Sequence, residues 1–254
     1  EAAWRSSLRQ GYQPLPAPAG PGPALQDPAS VPRGLAKWLA PGSNGAAAPS
    51  AIPYYRQTTD FTCGPVSLAM AMAALGPAEA PARPAEITLW REATTIVAPA
   101  GPGGCDTFGL ALAARRRGFA PRVHISQAGP ILLERAKTDQ ARDLVRFVQQ
   151  AFRDEAAATD LPVTYGHFTL EDLHRVLDEG GLAIVLIDQD VMHVDSCPHW
   201  ILVHEFRDGV FLAHDPWTDT HLGESWVDAQ DLPLPPASLE RIARYGDPSY
   251  RSML

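Results

Sequence analysis

The sequence predicts an α+β fold in which helices come first and an antiparallel sheet comes last. Two helical segments support this order, a buried one from Gly64 to Leu75 and an amphipathic one from Gln140 to Ala157. Strands follow them, first an apolar run at Leu182–Ile187 and then two segments at Trp200–Phe206 and Val210–His214. Because helices and strands are segregated rather than alternating, an α+β fold is favoured over an α/β fold.

The chain of 254 residues divides into a short N-terminal arm and one folded domain. Residues 1–50 are rich in Pro, Ala and Gly, which is typical of a linker or an extended arm. This stretch also contains Trp4, Tyr12 and Trp38, and disordered segments are usually poor in aromatic residues. Two interpretations are therefore open, an arm that docks on the main domain through these aromatics and a disordered tail. Residues 51–254 form the predicted domain, which is long enough to bury a core without disulfides.

The remaining elements of this domain are predicted in chain order. They are a short strand at Ile52–Tyr55, helices at Pro84–Glu92 and Phe108–Gly118, and a strand at Pro121–Ile125. A last helix begins at Thr169, because Thr-Leu-Glu-Asp has the spacing of a capping box, and ends at Gly180-Gly181.

Charge and cysteine content restrict the partners and the compartment. The formal net charge of -8 and the pI near 5.4 argue against nucleic acid or an anionic membrane as partner. The apolar run at 182–187 is too short to cross a bilayer. Three cysteines cannot all pair within the chain, which favours a reducing, cytoplasmic location over a disulfide scaffold. No cofactor is predicted, and the oligomeric state is left open.

A candidate nucleophile, Cys63, stands at the start of the first predicted helix. Gly64-Pro65 fits the turn into that helix, so the thiol lies at the positive end of the helix dipole, which favours the reactive thiolate. Gln57 lies six residues upstream, and its amide can donate to an oxyanion together with the Cys63 backbone N–H. The alternative interpretation is a small buried cysteine at a helix start.

A candidate base, His199, opens a strand whose hairpin partner ends at Asp215. A three-residue loop at 207–209 would pair Ile201 with Asp215 and bring Asp215 within hydrogen-bond reach of His199. A two-residue loop would put the two side chains on opposite faces, so this hypothesis requires the longer loop. His199 would then act as the base and Asp215 would orient it. The alternatives are an ordinary strand-edge histidine and a turn aspartate before Pro216.

These two segments resemble those of papain-like cysteine peptidases. The spacing of Gln57 and Cys63 is the papain-like pattern, and Cys63-Gly64-Pro65 followed by Leu68-Ala69-Met70 resembles the bacteriocin-processing (double-glycine leader) peptidases in particular. His199 and Asp215-Pro216 match the same peptidases. The resemblance implies a papain-like fold in which N-terminal helices carry the cysteine and pack on a C-terminal sheet that carries the histidine and the aspartate.

Residues 52–220 also resemble a bacterial peptidase-like branch that occurs beside, or fused to, acetyltransferases and ATP-grasp peptide ligases. This resemblance includes the segment Trp90–Ile96 and the Gly-rich loop that ends at Cys105. The candidate substrate contacts are Arg91, Glu92, Gly104, Cys105 and Trp200; the two charged residues stand on an otherwise apolar stretch, and Arg91 is expected to meet a substrate carboxylate. The alternatives are a local ion pair for the two charged residues and a buried structural role for Cys105.

Two other kinds of site compete with a catalytic thiol as interpretations of these residues. Cys197-Pro198-His199 has metal-ligand spacing, and further ligands could come from Cys105, His193, His204 and His214. A structural zinc site usually shows two short-spaced ligand pairs, and the second pair is absent, so no metal site is predicted. The Gly-rich stretch 101–105 lacks the Gly-Lys-Ser/Thr ending of a phosphate-binding loop.

The sequence therefore predicts a cysteine peptidase that cleaves a peptide or amide bond through an acyl-enzyme on Cys63. The resemblance to leader peptidases implies that the substrate is a leader, precursor or carrier peptide, or a peptide conjugate. Two alternatives stay open, namely transfer of the acyl group to an amine, as in a ligase or cyclase, and a non-catalytic peptide-binding domain. The natural substrate and the role of the N-terminal arm are not determined by the sequence.

Overall fold

The computed structural model of the protein describes residues 52–95, 103–192 and 196–254. The predicted arm at 1–50 lies outside the described residues. Six helices are described, namely α1 Cys63–Leu75, α2 Arg83–Ala93, α3 Thr107–Arg115, α4 Asp139–Ala158, α5 Leu170–Asp178 and α6 Pro236–Ile242. Seven strands are described, namely β1 Val123–Ile125, β2 Val163–Tyr165, β3 Ala183–Asp188, β4 Pro198–Arg207, β5 Val210–His214, β6 Leu232–Leu234 and β7 Ser252–Met253.

The strands form one mixed sheet in the order β2-β1-β7-β3-β4-β5-β6. Every neighbouring pair is antiparallel except β1 and β2, which are parallel. The α+β fold is thus confirmed, but the expectation of a wholly antiparallel sheet is wrong at this edge. The reason is the long connection through α4, because a parallel pair needs a crossover of a dozen or more residues.

The sheet is buried on both faces, which explains the continuous apolar run of β3. Ile184 and Leu186 belong to the core that contains α1 and α3, whereas Val185 and Ile187 belong to the core that contains α5 and α6. Successive side chains of a strand point to opposite faces, so a strand between two helical layers must be apolar at every position.

The predicted helices are present, with boundaries that differ by at most three residues. The capping box is also confirmed, since the side chains of Thr169 and Asp172 each accept a hydrogen bond from the other residue's backbone N–H. The predicted strand at Ile52–Tyr55 is wrong, because no ladder forms there. Pro53 has no N–H to contribute, and Tyr54 makes a side-chain hydrogen bond from its hydroxyl to the carbonyl of Asp215 instead.

Helix α1 is the centre of the larger core. Its residues from Cys63 to Met72 are all buried, and it packs against β4, where the Ser67 hydroxyl donates to the Trp200 carbonyl at 3.2 Å. A Cβ atom at Gly64 would lie 3.0 Å from Leu110 and 3.1 Å from Trp200. The glycine after Cys63 therefore allows the helix start to approach its neighbours closely.

The hairpin between β4 and β5 differs from the prediction in the length of its loop and in a bulge in β4. Arg207 pairs with Val210, so the loop has two residues, Asp208 and Gly209, and both have positive φ. The predicted three-residue loop is therefore wrong. A β-bulge at His204 adds one residue to β4, and beyond it Val203 pairs with Ala213. The bulge restores the register that the longer loop was expected to give.

None of the helices in the three described ranges is both long and apolar enough to cross a membrane.

Candidate active site

Cys63 is the first residue of α1 and is almost completely buried, with 7% of its surface exposed. The residue before it, Thr62, occupies the N-cap position but makes no side-chain cap hydrogen bond. The first amides of a helix have no intrahelical partner, so without this cap they stay available to another acceptor. The Cys63 thiol thus stands beside a group of backbone donors.

His199 and Asp215 form a buried pair at the end of the hairpin. His199 Nε2 lies 2.6 Å from Asp215 Oδ1, and both residues are at most 4% exposed. The same carboxylate oxygen accepts a hydrogen bond from the Trp217 backbone N–H at 2.8 Å. The Asp215 main chain is also held, because its N–H donates to the Ala229 carbonyl and its carbonyl accepts from the Tyr54 hydroxyl. These hydrogen bonds hold the Asp215 carboxylate in place independently of its contact with His199.

The imidazole of His199 also contacts the thiol of Cys63. Burial alone would lower the pKa of His199, but the charge of Asp215, the charge of Cys63 and a hydrogen bond to each of them raise it well above its usual value. Since Nε2 is committed to Asp215, Nδ1 is left for the contact with Cys63. An imidazole of this kind is protonated readily and can stabilise a neighbouring thiolate.

Gln57 lies in the segment that leads to Cys63 and is 4% exposed. Its backbone N–H donates to the Pro216 carbonyl at 2.8 Å, which ties this segment to the residues that follow Asp215. One N–H of its amide donates to the Thr59 carbonyl at 2.7 Å. The second N–H of the amide remains for another acceptor. The predicted role in the oxyanion hole stays a prediction.

The structure also contains a buried carboxylate that the sequence interpretation missed. Glu86 of α2 is fully buried, and Oε1 accepts from the Thr58 N–H at 2.8 Å and from the Thr62 hydroxyl. Oε2 accepts from the Thr58 hydroxyl at 2.9 Å and from the Tyr55 hydroxyl at 3.4 Å. Glu86 thereby holds the segment between Gln57 and Cys63, and it engages the hydroxyl that would otherwise be free to cap α1.

Two of the predicted substrate contacts are charged residues of α2. Arg91 is exposed, and Glu92 forms an ion pair with Arg117 at 2.7 Å and lies 3.8 Å from Arg116. The hydrogen bond from Arg117 lowers the pKa of Glu92. Glu92 is thus in an ion pair, but with two arginines that follow α3 and not with the neighbouring Arg91.

The other predicted substrate contacts lie around the start of α1. Cys105 and Trp200 are 2% and 3% exposed and lie against Gly64, so their side chains support the helix start from behind. Burial, with Cys63 and Asp106 nearby, raises the pKa of Cys105 well above its usual value, which makes it a poor nucleophile. The Gly104 carbonyl accepts from the Thr95 N–H, and a side chain at Gly104 would meet open space.

The rival metal site built on Cys197 and His199 does not form among the described residues. The one group of His, Cys, Asp and Glu side chains with suitable spacing in these parts of the chain contains neither of them. Burial raises the pKa of the partly exposed Cys197 thiol. His193 lies outside the described residues, as do Gly101 and Pro102 of the weak phosphate-loop motif.

An apolar groove of about 340 Å³ opens beside the other end of α1, between Leu75, Phe119 and Leu254. None of the predicted site residues lines this groove. The candidate catalytic residues are thus identified by their mutual contacts and not by a large cavity.

Comparison with known proteins identifies one family that this chain matches. The sequence profile of a family described as "Peptidase_C39 like family" matches residues 52–254. The crystal structure of a protein from Bacillus anthracis that is classed as a C39-like peptidase is similar, with 11% identity and a TM-score of 0.44 over 80% of this chain and 94% of the other. A search of curated proteins finds no match. The family profile covers well over half of the chain, and this chain therefore belongs to the C39-like peptidase family.

Proposed function

We propose that the protein is a cysteine peptidase in which Cys63 is the nucleophile, His199 the general base and Asp215 the residue that orients the base. The observation that supports this most strongly is the position of the His199 imidazole, which interacts with the Asp215 carboxylate on one side and the Cys63 thiol on the other. A base that interacts with the nucleophile on one side and with an orienting group on the other is the arrangement that acyl transfer requires.

The reaction follows from these contacts. His199 takes the proton of the Cys63 thiol, and the thiolate attacks the carbonyl carbon of the scissile amide. The tetrahedral intermediate collapses when the protonated His199 gives its proton to the leaving amine, which leaves a thioester on Cys63. His199 then deprotonates a water molecule, which attacks the thioester and releases the acid. Throughout, Asp215 holds Nε2 and keeps Nδ1 directed at the thiol.

The negative oxygen of the intermediate needs donors. The uncapped start of α1 supplies the Cys63 backbone N–H, and Gln57 has one amide N–H beyond the one that bonds Thr59. Two preorganised donors in a dry site stabilise an oxyanion much more than they stabilise the neutral carbonyl. We assign Gln57 this role on its proximity in the chain to Cys63 and on its hydrogen bond to the segment that follows Asp215.

The substrate we propose is a leader, precursor or carrier peptide with small residues at the cleaved bond. Cys63 and His199 are 7% and 4% exposed, so a bulky side chain next to the scissile carbonyl would meet neighbouring atoms. The resemblance of the nucleophile and base segments to double-glycine leader peptidases suggests the same class of peptide.

The test is a mass-spectrometric assay with synthetic peptides that carry Gly-Gly, Gly-Ala or Phe-Phe at one central position. We expect cleavage of the first two by the wild-type protein, no cleavage by Cys63→Ala, and unchanged cleavage by Cys197→Ala, a matched removal of a thiol outside the catalytic set. Heavy-oxygen water in the buffer would label the new carboxyl group if water is the acceptor, whereas an added amine would appear in the product of a ligase.

Thiol reactivity separates an enzyme from a peptide-binding domain when the correct peptide is unknown. Iodoacetamide at neutral pH should alkylate Cys63 faster than a free peptide thiol, and faster than Cys197. If Cys63 reacts no faster than the free thiol, and none of the peptides is cut, the proposed function is wrong.

A further inference from the structure

A second group of ionisable side chains lies one residue along the chain from Asp215. His204 of β4, His214 of β5 and Asp231, which precedes β6, present ligand atoms that all lie within 4.8 Å of one another. His204 Nε2 is 3.2 Å and His214 Nδ1 is 3.7 Å from Asp231 Oδ1. We propose that these three residues form a binding site for one divalent metal ion of the zinc type.

Two of the three ligand atoms are buried without a hydrogen-bond partner. Among the described residues, neither His204 Nε2 nor Asp231 Oδ1 has one. The two atoms are 3.2 Å apart and would form an ion pair only if His204 were protonated, and no hydrogen bond joins them. The His204 side chain is only 1% exposed, so water does not satisfy it from bulk solvent. Leaving such groups unpaired is costly, and an ion between them would remove the cost.

Two of the three separations between ligand atoms agree with a shared ion. Zinc binds imidazole nitrogen and carboxylate oxygen at roughly 2.0–2.2 Å, so ligand atoms at the corners of a tetrahedron are separated by roughly 3.3–3.5 Å. The two separations of 3.2 and 3.7 Å bracket this value. The Asp231 side chain is 31% exposed, whereas the two imidazoles are buried, so an ion would reach the site from the Asp231 side and keep a water molecule there.

The bulge in β4 is an independent observation that involves the same residue. His204 is the additional residue of the bulge, without a partner on β5. Its ring lies 4.4 Å from the ring of His214, measured between centroids. Bulges are commonly found where a strand must redirect a side chain. Here the redirected side chain is the one with the unpaired nitrogen.

The tautomer of His214 is set by its two ring contacts. His214 Nε2 lies 3.2 Å from the Ile52 carbonyl, which is only an acceptor, so Nε2 carries the proton and Nδ1 is the unprotonated nitrogen that can serve as a metal ligand. A backbone carbonyl that fixes the far nitrogen of a ligand histidine is usual at metal sites.

Two existing contacts bear on the proposal. The Asp231 backbone N–H donates to His214 Nδ1 at 3.1 Å, and the ion must replace this hydrogen bond. The Gln230 amide donates to Asp231 Oδ2 at 3.3 Å, which leaves Oδ1 available. Imidazole and carboxylate ligands together suit zinc, cobalt or nickel and argue against calcium and magnesium, which prefer oxygen alone.

The experiment uses the full chain with Cys63→Ala, because zinc also binds active-site thiols. The protein is treated with a chelator, equilibrated with zinc chloride and separated from free metal. We expect about one zinc per chain by elemental analysis. At zinc concentrations about one hundred times the dissociation constant, the thermal midpoint should rise by about 5–10 °C. Cobalt in place of zinc should give the visible spectrum of nitrogen and oxygen ligands, without thiolate charge transfer.

The decisive variant is Asp231→Asn, since the partly exposed Asp231 side chain can be changed without disturbing the core. Bound zinc and the midpoint shift should both be lost with Asp231→Asn and with His204→Gln. Both should persist with His174→Asn, which changes a half-buried histidine that lies outside the group and pairs with Asp178. If Cys63→Ala protein binds no zinc, or if Asp231→Asn protein binds as much as its parent, the proposal is wrong. These outcomes do not depend on peptidase activity.

Discussion

Glu86 offers the sharpest test of how the nucleophile is positioned. Its carboxylate is the acceptor for the Thr58 N–H and for the hydroxyls of Thr58 and Thr62, so it fixes the last turn of chain before Cys63. Replacement by alanine removes all of these hydrogen bonds. Replacement by glutamine keeps the shape and one acceptor oxygen, and the hydroxyl groups can rotate to accept from the new amide.

The magnitude follows from these partners. Hydrogen bonds to a charged group contribute about 1.5–3 kcal/mol each. Thr58 is exposed, however, so its N–H can hydrogen-bond to water when Glu86 is removed, and its loss counts for less. Thr62 is fully buried, yet its hydroxyl also has Thr59 as a partner. We therefore expect Glu86→Ala to lower the free energy of unfolding by about 2–4 kcal/mol and Glu86→Gln by about 1 kcal/mol. The exposed Glu79 is the control, and Glu79→Ala should change it by less than about 0.5 kcal/mol.

Urea unfolding followed by tryptophan fluorescence gives the stabilities, and iodoacetamide labelling of Cys63 gives the effect on the site. The labelling rate should fall in Glu86→Ala protein under conditions where it is still folded, with partial recovery in Glu86→Gln. A Glu86→Ala protein as stable as Glu79→Ala would refute the reasoning from hydrogen bonds. A destabilised protein with unchanged labelling would confine Glu86 to a structural role and remove it as a positioning residue.

Three further predictions concern the catalytic pair and the packing. Asp215→Asn should lower the rate of peptide cleavage by about 10²-fold or more, because an amide at this position neither balances the positive charge of protonated His199 nor fixes its tautomer. An unchanged rate would contradict the proposed orienting role. In the wild-type protein, the raised pKa of His199 stabilises the fold fully below about pH 6.5, and this contribution should be lost as the pH rises through the raised value. Urea unfolding between about pH 6.5 and 9 should show that decline, and Asp215→Asn in the same background should flatten it. Gly109→Ala should cost about 1–3 kcal/mol because its Cβ would lie 2.8 Å from the backbone of α2, whereas Gly104→Ala, with open space around it, should be tolerated.

The parts of the fold that the sequence predicted are those set by local rules. Helix α5 begins where a threonine and an aspartate three residues later can cap each other, and its start was predicted to the residue. Strand β3 was predicted because a strand that is buried on both faces appears in the sequence as an uninterrupted apolar run. In each case the signal lies within one element.

The parts that were missed depend on residues far apart in the chain. Strand β7 has two residues, and it exists because the C-terminus fills the gap between β1 and β3. Glu86 had a weak local signal, since it shares the buried positions of α2 with Leu89 and Ala93. A carboxylate on that stripe must find donors, but their identity depends on how the segment before Cys63 passes over α2.

The hairpin shows how two errors can give a correct contact. The Asp-Gly pair favours a two-residue turn with positive φ at both positions, and this local preference prevails over the predicted longer loop. The contact between His199 and Asp215 forms all the same, because the bulge at His204 supplies the missing residue. The sequence predicts the contact between His199 and Asp215, and the Asp-Gly pair favours the two-residue turn. The bulge at His204, which makes the two compatible, has no signal in the sequence.

A deletion of His204 tests whether the bulge serves the catalytic pair or the proposed metal site. In the observed register Val203 pairs with Ala213 and Glu205 pairs with Leu212, so removing the residue between them leaves a regular ladder and keeps every pair on the His199 side. We expect the deletion variant to fold, to label at Cys63 with iodoacetamide at close to the wild-type rate, and to bind no zinc. A folded variant that labels slowly would mean that the bulge shapes β4 for catalysis. If labelling is preserved, the additional histidine has no function in the catalytic pair, and its unpaired nitrogen beside His214 and Asp231 is best explained by a ligand that these three residues bind.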